Sequence, residues 1–262
     1  MDVREFLGLE ATDDPNRQRL PITHGITGGR GALYGGCGLA AVIETAEAAV
    51  QRPLTWAACQ FVRGAQEPDV LELEFEALAV GRRIVQGRVT GRVGNEIMLA
   101  ALVALGTREF PREGQWGPTM LSVPPPEKCT TRKMNEERRG GLRPRIDERT
   151  ATGDADGTLR AVDGRSAIWA TMPGGVPACA SALAVVGDAV STGVAATFDE
   201  DLRARSIDNS IRVVKPRACD WVLVDTQVDG AADGLAHGGI RLWTPDGHLL
   251  AVTGQSGLVG PR

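Results

Sequence analysis

Residues 55–70 (TWAACQFVRGAQEPDV) and 207–222 (IDNSIRVVKPRACDWV) align without a gap at a constant offset of 152 residues, which sets Arg63 on Lys215 and Leu71 on Leu223. In each copy an alternating apolar strand runs into a basic residue and a short polar turn, after which a second apolar strand begins. An apolar helix led by a Gly-Gly pair lies upstream of each, Gly35-Gly36 in one copy and Gly174-Gly175 in the other. Half a chain of this size cannot bury such a face alone, so the copies are expected to share one core. Function is then to be sought where the copies differ.

Working outward, Leu39, Val42, Ile43, Ala46, Ala49 and Val50 fall on one helical face, and Pro53 stops that helix. Extended stretches follow at 54–63, 70–80 and 84–105, the last carrying the hairpin signal Gly94-Asn95. A stretch with Pro111, Pro118 and Pro124 to Pro126 reads as a covering linker. Beyond it the order recurs: a helix over 178–190, then strands over 206–214, 221–228, 234–243 and 248–258. Helix followed by meander, twice, predicts an α+β fold of two antiparallel sheets, each wrapped around a long central helix. The division is residues 1–109 for the first repeat, 110–141 for the linker and 142–262 for the second repeat.

The composition, 42% hydrophobic and 24% charged over 262 residues with a net charge of −4, is that of a soluble globular chain with no electrostatic footprint for nucleic acid. The mixed-sign segment beginning at Arg132 reads as a solvated linker. No leader-like or membrane-spanning apolar run is visible, which points to the cytoplasm. Cys37, Cys59, Cys129, Cys179 and Cys219 lack metal or redox spacing, as do the histidines, so neither metal nor cofactor is expected. Gly36-Cys37-Gly38-Leu39-Ala40-Ala41 fits a dinucleotide pattern, but the following strand ends near Arg63 without the carboxylate that would hold a ribose.

Several pieces in this order resemble the acyl-CoA thioesterase II family and its wider thioesterase-like relatives. They are Leu33-Tyr34-Gly35-Gly36, Phe61-Val62-Arg63, Ser206-Ile207-Asp208-Asn209-Ser210, Trp221-Val222-Leu223, Gly234-Leu235-Ala236-His237-Gly238, and Asp246-Gly247 leading to Gln255-Ser256-Gly257-Leu258-Val259. The resemblance implies a double hotdog fold, a role in lipid metabolism and hydrolysis of a fatty acyl-CoA thioester. In such proteins a water is held between an aspartate, a glutamine and a threonine or serine, with no covalent intermediate. Asp208 and Gln255 match the first two. The segment after Trp221 is shorter than the family pattern and puts Asp229 or Gly230 near the expected hydroxyl, which leaves Thr226 as the nearest one.

The repeat speaks for the same pair, because the 152 offset sets Asp208 on Trp56 and Gln255 on Val103, polar in one copy and apolar in the other. Asp208 is then the candidate general base, Gln255 orients the water, and the backbone N–H groups of Gly36 and Cys37, at a positive helix start, are the candidate oxyanion donors. The competing reading of a strand aspartate is a backbone cap or an arginine partner. A protein of this fold that binds an acyl chain or acyl-CoA without cleaving it is the alternative function, and unpaired sheet edges predict a homo-oligomer.

Overall fold

The computed structural model describes residues 2–29, 31–134, 140–200 and 202–261. Part of the mixed-sign linker segment, residues 135–139, lies outside them. A short helix α1 (Val3–Leu7) and strands β1 (Glu10–Ala11) and β2 (Arg17–Pro21) precede the first long helix, α2 (Gly35–Val50). The first meander is β3 (Leu54–Phe61), β4 (Val70–Val80), β5 (Ile84–Val93) and β6 (Glu96–Gly106). After the linker come β7 (Glu148–Thr150), β8 (Arg165–Thr171), helices α3 (Ala180–Val186) and α4 (Val190–Phe198), and β9 (Leu202–Ser206). The chain ends with β10 (Asp208–Val213), β11 (Trp221–Ala232), β12 (Leu235–Trp243) and β13 (Leu249–Pro261).

The strands form one continuous antiparallel sheet instead of the two expected, in the order β1-β2-β4-β5-β6-β3-β10-β13-β12-β11-β8-β7, with β9 pairing β13 off that path. The order is a near palindrome about the β3–β10 seam. At the seam Ala58 pairs with Ser210, positions related by the 152-residue offset, while Gln60 pairs with Asp208 and Trp56 with Arg212. A pseudo-twofold axis therefore passes beside Ala58 and Ser210, and the first strands of the two meanders, β3 and β10, join by backbone hydrogen bonds. Seam pairing leaves no edge there to be covered.

Alternation along the strands sends one face inward, and Leu71, Leu73, Val89, Leu99, Val103, Val222, Ile240 and Leu250 are buried against the helices. The outer face of the second half is covered by the linker. Met120, Leu121 and Val123 pack over Trp169, Leu223 and Trp243, and the Trp169 indole N–H donates to the Pro124 carbonyl at 2.9 Å.

The second central helix is the other departure from expectation. It does not run unbroken over 178–190, and Gly174-Gly175 lies in a short 3-10 turn rather than at a helix start. α3 stops at Val186, Gly187 caps it, and α4 begins at Val190, so the pair is interrupted at Gly187-Asp188-Ala189. The backbone groups freed by the break find partners on β13: Thr253 Oγ1 donates to the Gly187 carbonyl at 3.1 Å, and the Val190 N–H donates to Gln255 Oε1 at 3.1 Å. By composition the stretch Ala180–Phe198 is long and apolar enough to cross a membrane, yet 78% of it is buried inside the protein. It is core, not a span.

Candidate active site

The two helix starts meet on the pseudo-twofold. A Cβ on Gly36 would stand 2.8 Å from the carbonyl oxygens of Ala184 and Val185, so only glycine lets α2 approach the end of α3 this closely. At the same offset of 152, the repeat equivalent of Gly36 is Asp188, and the two are bonded: the Gly36 N–H donates to Asp188 Oδ2 at 2.6 Å. Gln255 Nε2 donates to Asp188 Oδ1 and also to Ser206 Oγ, the latter at 2.7 Å. The Tyr34 hydroxyl donates to the Asp188 carbonyl. A carboxylate, an amide and a hydroxyl are thus gathered in one cluster from the helix break, β13 and the end of β9.

Asp188 is 3% exposed and Gln255 5%. Burial pushes the Asp188 carboxyl above the ordinary carboxylate range, because the charged form loses water. Hydrogen bonds from Gln255 and Gly36, the Arg143 charge and the Ser206 hydroxyl pull the other way and only partly offset it. A carboxylate held by donors yet reluctant to ionise is a base with a proton affinity nearer neutrality than an exposed aspartate.

Asp188 and Ser206 line a cavity of 380 Å³, with Leu33, Tyr34 and Gly35 of the α2 entry, Phe61 and Leu99 of β3 and β6, and Arg132 and Arg143 of the linker. Arg132, expected in a solvated linker, is 7% exposed. Its guanidinium pairs with Glu148 at 2.5 Å, and Arg143 holds the other oxygen of the same carboxylate. Although burial opposes its charge, the Glu148 carboxyl is held below its usual range by Arg143 and Arg132. Arg143 also lies over the Tyr34 ring, 5.3 Å from its centroid, behind the residue that bonds Asp188.

Asp208 is elsewhere. Ser210 pairs with Gly254 and Arg212 with Val252, so Asp208, Ser210 and Arg212 share the face of Gly254 and Ser256, opposite Gln255. Its Oδ1 accepts the Ser256 N–H at 2.6 Å, the backbone-cap role that competed with catalysis. The expected Asp208–Gln255 pairing is corrected accordingly, while Gln255 does reach a carboxylate. Thr226 is buried on β11 with its methyl against Gly193 of α4, and it does not line the cavity. The Gly36 N–H is occupied by Asp188 instead of facing a substrate oxygen. Cys37 is fully buried, and burial, with Asp188 beside it, pushes its thiol far above the range where a thiolate forms.

Two residues escaped the reading of the sequence. Asp188 had a visible signal: it is the only charged residue between Gly174 and Phe198, and the strand offset, carried through to the helices, sets it on Gly36. Aligning the Gly-Gly pairs instead hid that. Ser206 had none, because its inward turn depends on the break at Ile207 between β9 and β10. Among the described residues no group of three His, Cys, Asp or Glu side chains is placed to hold a metal ion.

This curled sheet around central helices is a hotdog architecture. A family model described as the acyl-CoA thioesterase C-terminal domain matches residues 126–259, and the chain belongs to that family. Among solved structures it is similar to one designated a thioesterase from Novosphingobium aromaticivorans DSM 12444, with 29% identity, 95% of this chain and 97% of that chain covered, and a TM-score of 0.85. The tesB protein of Mycobacterium avium subs paratuberculosis is 20% identical, with coverage of 99% and 98% and a TM-score of 0.80. Acyl-CoA thioesterase II TesB2 of Mycobacterium marinum is also 20% identical, with the same coverage and a TM-score of 0.78. No functionally curated protein matches the chain.

Proposed function

We propose that this chain hydrolyses an acyl-CoA thioester at the Asp188–Gln255–Ser206 cluster, with water as the nucleophile. Asp188 takes a proton from the water as its oxygen bonds to the carbonyl carbon. The carbon–sulfur bond then breaks, and the thiolate leaves with the proton Asp188 has held, giving acid and free thiol. Gln255 fixes the carboxylate through Oδ1, and the Ser206 hydroxyl aligns the water beside it. For the developing oxyanion we assign the Gly35 N–H, at the first position of α2 on the cavity wall and without a hydrogen-bond partner among the described residues.

The observation that carries this reading is a carboxylate at the wall of a cavity, buried and bonded to both an amide and a helix-start N–H. Ser206 supplies the hydroxyl whose absence after Trp221 made a binding-only protein the alternative. The test is release of free thiol from a panel of acyl-CoA esters by the wild type and by Asp188→Asn. Release by the first and not the second supports hydrolysis here; equal rates remove Asp188 from the mechanism.

A further inference from the structure

A thioester has two arms, and the cluster stands between two spaces of different character. On one side is the 380 Å³ cavity, where Arg132 and Arg143 form part of the wall and Arg63, Arg203 and Arg205 are also at its boundary. On the other is a cleft of 10 Å³ between α4 and the strands β9, β12 and β13. Both spaces touch Ser191, Ala204 and Ser206, so they adjoin at the hydroxyl of the cluster. Gln255 lines the cleft while Asp188 lines the cavity, and the two are hydrogen-bonded to each other at the junction.

The chemistry of the walls orients the arms. Among the described residues no charged side chain lines the cleft; beyond Ser191, Ser206 and Gln255 at the junction, its walls are Val190, Val194, Ala204, Ala236 and Val259. Val190 and Val194 are one turn apart on α4 and present one face. Arg132 and Arg143 share Glu148 and Arg63 pairs with Glu96, whereas Arg203 and Arg205, exposed on β9 at the cavity boundary, have no ion-pair partner among the described residues and are the cations available to a phosphorylated arm. A space of this size holds about one water-sized group, given that roughly 10–15 Å³ is needed for one. A methyl fits before the walls move; an octyl chain does not.

Resting on the thioesterase reading, we propose that the acyl group enters this cleft and is short, acetyl fitting as the walls stand and butyryl only with a shift of the side chains around it, while the CoA arm occupies the cavity. Val194 and Ala236 on opposing walls set the length limit. The cleft's inner end is closed by residues that are themselves core, Val194 and Ala236 being almost fully buried.

Thiol release from acetyl-, butyryl-, octanoyl- and palmitoyl-CoA is measured for the wild type, Val194→Ala and Ala236→Val. In parallel, binding of the hydrolysis-inert thioethers S-ethyl-CoA and S-octyl-CoA is measured on the wild type. The expected kcat/KM is highest at two or four carbons and falls by about tenfold or more at eight, the range a misfit hydrocarbon pocket gives. Val194→Ala moves the optimum to longer chains, Ala236→Val restricts it to acetyl, and S-ethyl-CoA binds more tightly than S-octyl-CoA. An optimum at eight carbons or more, or tighter binding of the octyl thioether, overturns the proposal. If no ester releases thiol yet the ethyl thioether binds preferentially, the hydrolase reading fails and the cleft assignment stands. Should Val194→Ala not fold, Ala236→Val and the thioether pair decide.

Discussion

Replacing Asp188 by asparagine keeps the side chain's shape and removes its charge. Both carboxylate oxygens accept, Oδ2 from the Gly36 N–H at 2.6 Å and Oδ1 from Gln255 Nε2. An amide offers one acceptor, so its NH₂ must face one of those donors. If Gln255 turns over to present its oxygen, the Val190 N–H loses the partner it has at 3.1 Å. One buried donor is left unpaired in every arrangement, costing about 1–3 kcal/mol. Relief from burying a carboxylate, the main cause of its raised pKa, offsets part of this. The variant should therefore fold, with Tm lowered by no more than about 12 °C at roughly 2–4 °C per kcal/mol. Its rate should fall much further, by about 10²- to 10⁴-fold for loss of a general base. That is about 2.7–5.4 kcal/mol of transition-state stabilisation at ~1.36 kcal/mol per decade. The paired control is Asp208→Asn, in which the amide oxygen still accepts the Ser256 N–H. Its activity should stay within about threefold of wild type, because a group on the outer sheet face takes no part in proton transfer. Thiol release and thermal unfolding are followed on both variants. A folded Asp188→Asn enzyme with wild-type kcat/KM, or an inactive but folded Asp208→Asn enzyme, refutes the reasoning.

Three other expectations concern pH and packing. Ser206 helps hold the Asp188 carboxyl down against burial. In Ser206→Ala that carboxyl rises further, and since the base acts deprotonated, the acid limb of the kcat/KM profile should move to higher pH; an unmoved limb would separate Ser206 from Asp188. Glu148 sits between Arg132 and Arg143 with its pKa depressed, so its stabilisation is present above its unfolded value and is lost as pH falls through the folded one. Glu148→Gln leaves the buried Arg132 and the partly buried Arg143 guanidinium groups without a counter-charge and should cost about 3 kcal/mol near neutral pH, read by urea unfolding, with the difference from wild type shrinking in acid. Gly36→Ala drives a methyl against the Ala184 and Val185 carbonyls, backbone atoms that cannot turn aside. Its loss of about 1–3 kcal/mol or more should appear as a lower Tm. Gly38→Ala, whose Cβ meets only side chains at 3.5 Å or beyond, should change Tm little.

Much of this architecture is legible from periodicity. The offset between Arg63 and Lys215 identified the repeat, the alternation after Leu54 and Ser206 identified the strands, and three-and-four spacing from Leu39 to Val50 identified α2. These are local signals, because a strand or amphipathic helix declares its buried face in its own residues. Gln255 was legible as a polar residue where the other copy has Val103, but its partner was not. Asp208 has the same kind of asymmetry and the wrong face. Which side of the sheet a strand residue takes depends on the β10–β13 register, and the break at Ile207 shifts parity between Ser206 and Asp208.

By itself the sequence determined a duplicated α+β chain whose second copy is polar at Asp208 and Gln255 where the first has Trp56 and Val103, since repeat, period and composition are properties of the chain alone. Only the tertiary structure decided that the two meanders close into a single sheet at Ala58 and Ser210, and that Asp188, Gln255 and Ser206 converge. The physical reason is that hydrogen bonds across 49 and 67 residues are set by register and by a helix break, and neither leaves a periodic trace.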